Sequence, residues 1–125
     1  MAEKKFVFIL TTSESRPDLP AGALQLATNM LAFDARIDLF LMDEAALLAK
    51  PGYAEALASR QKPGGFSPVH TLLRTLVEDF GVAVHVCASC VKAEGLDPKN
   101  LAFGADVRPG SYLGELLMTH EGLTF

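Results

Sequence analysis

The feature that most constrains the fold is a helix pattern followed at once by a strand pattern, over residues 67–87. Apolar residues recur at positions 69, 72, 73, 76, 77 and 80, the spacing of one face of an α-helix, which predicts a helix over residues 67–80. Ser67 suits its N-cap, Pro68 its first turn and Gly81 its end. The alternating run Val82–Cys87 predicts a buried strand. A helix that leads directly into a buried strand predicts half of a βαβ unit.

Strand and helix patterns alternate through the rest of the chain. Apolar runs predict strands at residues 5–11 and 36–42, a weak strand at 101–107 and a short one at 122–125. Helices are predicted at residues 21–33, 53–60 and 112–120, with a helical turn at 45–49, while residues 12–20 are predicted to form a loop. In the helix 21–33 the predicted buried face carries Ala23, Leu26, Ala27 and Met30, and Ser111 is the predicted N-cap of the helix 112–120. This order predicts an α/β fold, a single-domain three-layer α/β/α sandwich with a mostly parallel sheet of about five strands.

Size and charge narrow the classes of function. The 125 residues suit one domain over positions 1–125. With 11 basic and 15 acidic residues, a net charge of −4 and no basic run, the composition argues against a nucleic-acid partner. The apolar run Phe6–Leu10 is too short for a signal peptide or a membrane span, so we expect a cytoplasmic protein.

Both cysteines, Cys87 and Cys90, lie at the predicted turn from the strand 82–87 into a short helical segment that Gly95 ends. The free amides and the dipole of a helix favour an anion, so we expect them to lower the thiol pKa. Active sites of such sheets lie beyond the carboxyl ends of the strands. We therefore expect Cys87 beside the loop 12–20, beside Asp43 and beside the turn 109–111, with Cys90 packed under the helix.

The cysteine pair has four interpretations. It is a pair of buried inert side chains, a zinc site, a thioredoxin-like dithiol, or a sulfur carrier in which a thiolate takes the outer sulfur of a persulfide. Zinc needs about four ligands, and His70, His85 and His120 offer no paired spacing, so we predict no metal and no cofactor. The dithiol spacing fits, but the Trp-Cys-Gly-Pro-Cys surroundings are absent.

The stretch 84–96 resembles the signature of the DsrE/DsrF-like family, whose members include the TusD and YchN proteins. That family places a cysteine at a strand end eight residues before a glycine, and some members have a second cysteine three residues later. Cys87, Cys90 and Gly95 match both spacings. The order of strands and helices extends the resemblance over most of the chain. Glu94 departs from it, because the family often has arginine there.

The resemblance implies an α/β/α domain, a homotrimer or hexamer, and sulfur relay between donor and acceptor proteins. Cys87 would carry the sulfur, and Cys90 would resolve, modulate or share it. With the long segment 50–66 covering a neighbouring subunit, we expect the cysteines near subunit contacts. Two alternatives stay open: a non-catalytic subunit that serves assembly or binds a small ligand, and a dithiol redox protein.

Other polar residues have plainer explanations beside functional ones. His85 alternates with apolar neighbours, which favours a satisfied core or interface histidine, and His120 lies near a predicted helix end, where a cation is favoured. Asp43 and Glu44 either bind a ligand or cap the next turn. The remaining candidates for an anion cradle near the cysteine are Thr11, Thr12, Ser13 and Ser15.

Overall fold

The computed structural model describes residues 3–125. Within that range five strands form one sheet in the order β4-β3-β2-β1-β5, and every neighbouring pair is parallel. The strands are β1 (Lys5–Leu10), β2 (Arg36–Leu41), β3 (Ala83–Cys87), β4 (Asp106–Arg108) and β5 (Glu121–Thr124). The parallel five-stranded sheet that the sequence predicts is confirmed.

Helices connect the strands and cover both faces of the sheet. They are α1 (Asp18–Leu31), α2 (Tyr53–Ala58), α3 (Val69–Glu78), α4 (Ala88–Ala93) and α5 (Gly110–Leu117), with a 3-10 helix at Asp43–Ala49. The predicted three-layer α/β/α sandwich is confirmed. The segment 50–66, predicted as a long loop with one short helix, contains α2.

The first face of the sheet carries the main core, because the buried strand residues on it are all apolar. The strands contribute Phe8, Leu10, Leu39, Leu41, Val84 and Val86, and the helices contribute Leu24, Leu57, Leu73 and Leu76. These helix residues come from α1, α2 and α3, so three helices pack on this face.

The second face is covered mainly by α5. This helix links β4 at one edge of the sheet with β5 at the other edge, so it crosses the sheet. A small apolar cluster lies beneath it, formed by Val7, Ile9, Phe40, Cys87 and Leu116, with Met42, Cys90, Tyr112 and Leu113 packed against it. The end of α5 lies close to β5, since a Cβ atom built on Gly122 would lie 2.7 Å from Cδ2 of Leu117.

Two predictions about α1 are wrong. The helix begins at Asp18, inside the predicted loop, because Pro20 occupies its first turn, where no backbone N–H is needed. The predicted buried face included Leu26, which is 41% exposed. Ala23 and Ala27 are buried as predicted, and Pro20, Ala21 and Leu24 complete the buried face in place of Leu26.

Predicted element ends also differ. Ser67 and Ser111 are not N-caps, because α3 and α5 begin directly after Pro68 and Pro109, whose extended ψ angles start the helices. Helix α3 ends at Glu78, before the predicted end at residue 80. The weak strand 101–107 forms only as β4, since positive φ angles at residues 103 and 104 turn the chain before it.

Candidate functional site

Both cysteines lie at the carboxyl end of β3, as the sequence predicts. Cys87 is the last residue of this strand, and Cys90 lies one turn into α4. Gly95, with a φ of +67°, follows the end of α4, where a residue with a side chain would be strained.

The burial of the two cysteines is the reverse of our expectation. Cys87 is only 7% exposed, whereas Cys90 is half-buried. The alternation of β3 points the Cys87 side chain onto the second face, the same face as His85. There Cys87 belongs to an apolar cluster with Leu116 of α5, and Tyr112 and Leu113 pack against that cluster. Cys87 is therefore buried in this cluster, and Cys90 lies nearer to solvent.

The helix amides do not hold the Cys87 thiol. Cys87 occupies the N-cap position of α4 with extended backbone angles, but its side chain accepts no hydrogen bond from the amides of this six-residue helix. The expectation that these amides point at the thiol is wrong, because the strand directs the side chain toward the sheet face and away from the helix axis.

Cys90 instead receives a backbone donor from another element. The amide of Asp43, directly after β2, donates a hydrogen bond to Cys90 Sγ over 3.1 Å. Asp43 adopts a φ of +54°, an uncommon conformation for a residue with a side chain. Burial raises the pKa of the Cys90 thiol most; the Asp43 amide opposes this, and the neighbouring Cys87 thiol raises the pKa further. The balance of these influences raises the pKa of the Cys90 thiol.

The hydrogen-bond donors of the loop after β1 bind a carboxylate of the chain itself, that of Glu44. The amides of Ser13 and Ser15 and the Ser15 hydroxyl all donate to Glu44 Oε1. These bonds, the one from the Ser13 amide first, lower the pKa of Glu44. Thr11 Oγ1 donates to the carbonyl of Phe125 over 2.8 Å. The candidate anion cradle is thus occupied internally, and Glu44 fixes the loop.

His85 lies buried between two carboxylates on the second face. Its Nε2 is 2.9 Å from Asp38 Oδ2 on β2, and its Nδ1 is 2.6 Å from Asp106 Oδ1 on β4. Burial is the largest influence on the pKa of His85 and lowers it, but the bonds and charges of Asp38 and Asp106 outweigh burial, so the pKa is raised. The prediction of a satisfied core histidine is confirmed.

Asp106 and Asp38 each lie close to a second basic side chain, so the group of polar contacts extends beyond His85 on both sides. Arg108 Nη2 is 3.0 Å from Asp106 Oδ2, and His120 Nε2 is 3.5 Å from Asp38 Oδ1. The sequence analysis missed Asp38, Asp106 and Arg108. The available signal was Asp38, a charged residue inside an otherwise apolar strand pattern. We call these five residues, from Arg108 through Asp106, His85 and Asp38 to His120, the charged ladder.

Within residues 3–125 no three histidine, cysteine or acidic side chains are placed to hold a metal ion together. None of the helices in this range has the length and the apolar character that crossing a membrane requires.

Comparisons with known proteins agree with the fold. The model of the DsrE/DsrF-like family matches residues 4–117. An uncharacterized protein of Methanocaldococcus jannaschii is 29% identical over 101 residues, which are 81% of this chain and 81% of that protein. The crystal structure of the YchN protein of E. coli superimposes with a TM-score of 0.75 and 22% identity, over 99% of this chain and 100% of that one. A protein of unknown function from Methanobacterium thermoautotrophicum has a TM-score of 0.64 and 18% identity, over 99% and 100% of the two chains.

Proposed function

Because the chain belongs to the DsrE/DsrF-like family, we propose that it relays sulfur between proteins and that Cys87 carries this sulfur as a persulfide. One observation carries the proposal: two free thiols lie side by side at the carboxyl end of β3, one enclosed and one half-buried. The structural likeness to YchN supports the fold that the proposal requires. The carboxyl end of a parallel strand is where sheets of this type place their active sites.

The proposed transfer is a displacement at sulfur. The Cys87 thiolate attacks the outer sulfur of a donor persulfide, a new S–S bond forms on Cys87, and the donor leaves as a thiolate. One S–S bond forms as another breaks, so the step needs no oxidant or reductant, and the proton of the donor persulfide stays on the transferred sulfur. Delivery to an acceptor thiolate is the same step in reverse, with Cys87 as the leaving group.

Cys90 is placed to share or modulate this sulfur. Its thiol lies next to Cys87, and its Sγ accepts the Asp43 amide. A persulfide is more acidic than a thiol, and a backbone N–H stabilises a sulfur anion in the same way that it stabilises an oxyanion. In this proposal Cys87 takes sulfur from the donor first, and the half-buried Cys90 then shares it.

The proposal is tested by sulfur loading of three proteins: the unaltered chain, Cys87→Ser and Cys90→Ser. Each is incubated with a small-molecule persulfide donor and analysed by intact-mass spectrometry. We expect the mass of one sulfur atom to be added to the unaltered chain, none to Cys87→Ser and a reduced amount to Cys90→Ser. Uptake that persists in Cys87→Ser and disappears in Cys90→Ser would reverse the two roles. If neither cysteine takes up sulfur from any donor, a non-catalytic assembly or ligand-binding subunit becomes the better account.

A dithiol redox protein is the second candidate, and the adjacency of the two thiols favours it. It predicts a Cys87–Cys90 disulfide with a defined reduction potential, measurable by equilibration with glutathione buffers. A pair that stays reduced across the range of cellular potentials would exclude this candidate.

We further propose a cytoplasmic homotrimer or hexamer that exchanges sulfur with donor and acceptor proteins. Large apolar side chains on the surface support self-association, because Phe33 is 85% exposed and Met118 is 84% exposed. Light scattering at micromolar concentration should find a closed oligomer, and a monomer alone would contradict this. Since sulfur transfer needs free thiols, elemental analysis should find no stoichiometric zinc.

A further inference from the structure

We propose that His85 is a positioning residue that holds helix α5 over Cys87 through its hydrogen bonds to Asp38 and Asp106, which we call the latch. The latch opens when the His85 imidazolium loses a proton. The inference rests on the proposed function only in taking Cys87 as the reacting thiol. It assigns the charged ladder a role that sulfur chemistry alone does not require, namely control of access to that thiol.

The amino-terminal end of α5 is tied to the ladder through β4. Asp106 is in register with His85 on the neighbouring strand and accepts from both His85 and Arg108. The Arg108 guanidinium lies 4.5 Å from the ring centroid of Tyr112, in the first turn of α5. The Tyr112 ring also contacts His85 edge to face, with centroids 5.0 Å apart. His85 therefore contacts α5 directly and through two charged neighbours.

The carboxyl-terminal end of α5 is tied to the same ladder from the other side. His120 lies three residues beyond the helix and is nearly buried, with Nε2 3.5 Å from Asp38 Oδ1. Its Nδ1 is 3.1 Å from the carbonyl oxygen of Leu116. Asp38 in turn is held by His85. Both ends of α5 are thus connected to the imidazole of His85, one through Tyr112 and Arg108 and the other through His120 and Asp38.

Apart from the contacts at its two ends, α5 buries little apolar surface against the sheet. The position of the helix therefore depends on those contacts. Only Leu116 is buried within the helix, while Leu117 is 44% exposed. Yet Leu116 shares a buried apolar cluster with Cys87, and Tyr112 and Leu113 pack against that cluster. A small movement of α5 would therefore open the route to the thiol at little cost in apolar contact.

The protonation state of His85 decides whether the latch can close. A carboxylate only accepts hydrogen bonds, and an imidazole with two carboxylate partners satisfies both only when both ring nitrogens carry a proton. Loss of one proton leaves a nitrogen lone pair facing an acceptor oxygen, so one of the two bonds breaks. The charged or titratable groups that face His85 are Asp38 from β2, Asp106 from β4 and Tyr112 from α5; Arg108 and His120 act through the carboxylates.

The direction with pH follows from the pKa shifts. The pKa of His85 is raised by its carboxylates, so the latch is complete below the ordinary histidine pKa and is lost as pH rises through the raised value. The pKa of Asp38 is lowered, first by its hydrogen bond with His85, so the latch is also lost as pH falls through that lowered value. The latch is therefore closed in a window between the two.

The test measures access to Cys87 in a Cys90→Ser background, where Cys87 is the only thiol. Alkylation by iodoacetamide is followed for this protein, for a His85→Gln version and for a matched control, His70→Gln, on α3 at the first face. At about pH 6, where His85 is protonated, we expect His85→Gln to react at least about tenfold faster and the control to match its parent. Rates within about twofold of the parent for His85→Gln would overturn the proposal.

Hydrogen exchange gives a second measurement that needs no His85 variant to fold. In the unaltered protein the protection factors of α5 amides, corrected for intrinsic exchange, should fall between about pH 6 and about pH 9, and those of α3 should not. In Asp106→Asn the side-chain amide can donate to a neutral His85, so α5 should stay protected at the higher pH. Protection of α5 that is independent of pH in the unaltered protein would contradict the latch.

The two accounts fail separately. Sulfur loading of Cys87 together with unaltered alkylation in His85→Gln would overturn the latch alone. The expected alkylation and exchange results in a protein that never takes up sulfur would support the latch and overturn the proposed function.

Discussion

The two faces of the sheet are built on different principles. On the first face the buried strand residues are all apolar and meet three helices, α1, α2 and α3. On the second face the strands place a buried histidine, two aspartates and a cysteine beside three buried apolar residues, Val7, Ile9 and Phe40, and one eight-residue helix crosses above them. The first face can therefore bear the stability of the domain, and the second can hold reactive and titratable groups.

The proposed function needs a buried cysteine that can still react, and this division of the sheet accommodates one. Cys87 lies in a small apolar cluster beneath α5. Helix α5 is held mainly by polar contacts at its two ends. A cover of this kind opens without disturbing the main core, because the core lies on the other side of the sheet. A thiol on the first face would be reached only by unfolding.

The largest contrast should come from a matched pair of leucines. Leu73→Ala on the first face should lower the free energy of unfolding by about 4 kcal/mol, and Leu116→Ala on the second by about 2 kcal/mol, because α5 can settle into the space left beneath it. Urea denaturation measures both. Alkylation of Cys87 should quicken in Leu116→Ala and stay unchanged in Leu73→Ala, and the opposite ranking in either measurement would break the comparison.

A smaller effect should separate the faces by pH. The ion pairs of His85 add stability that is lost as pH rises through the raised pKa of His85, and we expect this to be about 2 kcal/mol. Urea denaturation of the unaltered protein, of His85→Gln and of His70→Gln as a function of pH measures it. The difference between the unaltered protein and His85→Gln should shrink with rising pH, while His70→Gln should parallel the unaltered protein. A constant difference for His85→Gln would mean that the ladder is not charge-dependent.

The sequence predicted the first face well and the second face poorly. Its continuous apolar runs specify β1, β2 and α3, because those residues are buried by near neighbours of predictable geometry. Strand β4 was misplaced, since its three residues, Asp106–Arg108, carry no apolar run and pair only because β3 lies beside them.

The site shows the same limit. The position of Cys87 and Cys90 at a strand end was predictable from the local pattern. The burial of Cys87 was not, because it depends on α5 crossing from one sheet edge to the other, which no local pattern encodes. The charged ladder joins residues that lie far apart in the sequence, as Asp38 and His120 do, so only the fold brings them together.

The smallest predicted effect concerns how closely α5 rests on β5. Gly122→Ala would place a Cβ 2.7 Å from Cδ2 of Leu117, so the Leu117 side chain must move and the usual gain from replacing glycine in a strand is reduced. In a Leu117→Ala background the same change should stabilise the protein by about 0.5–1 kcal/mol. A double-mutant cycle by urea denaturation measures the coupling. No coupling would mean that α5 and β5 are not in contact in solution.

The central claim is that the enclosed thiol on the second face carries the sulfur. The most direct measurement is peptide mapping of the unaltered protein after loading with a persulfide donor and trapping with iodoacetamide, with fragmentation spectra that distinguish the two cysteines. The account predicts the extra sulfur atom on Cys87, with a minor share on Cys90. Extra sulfur found on Cys90 alone, with Cys87 only ever alkylated as a plain thiol, would contradict it.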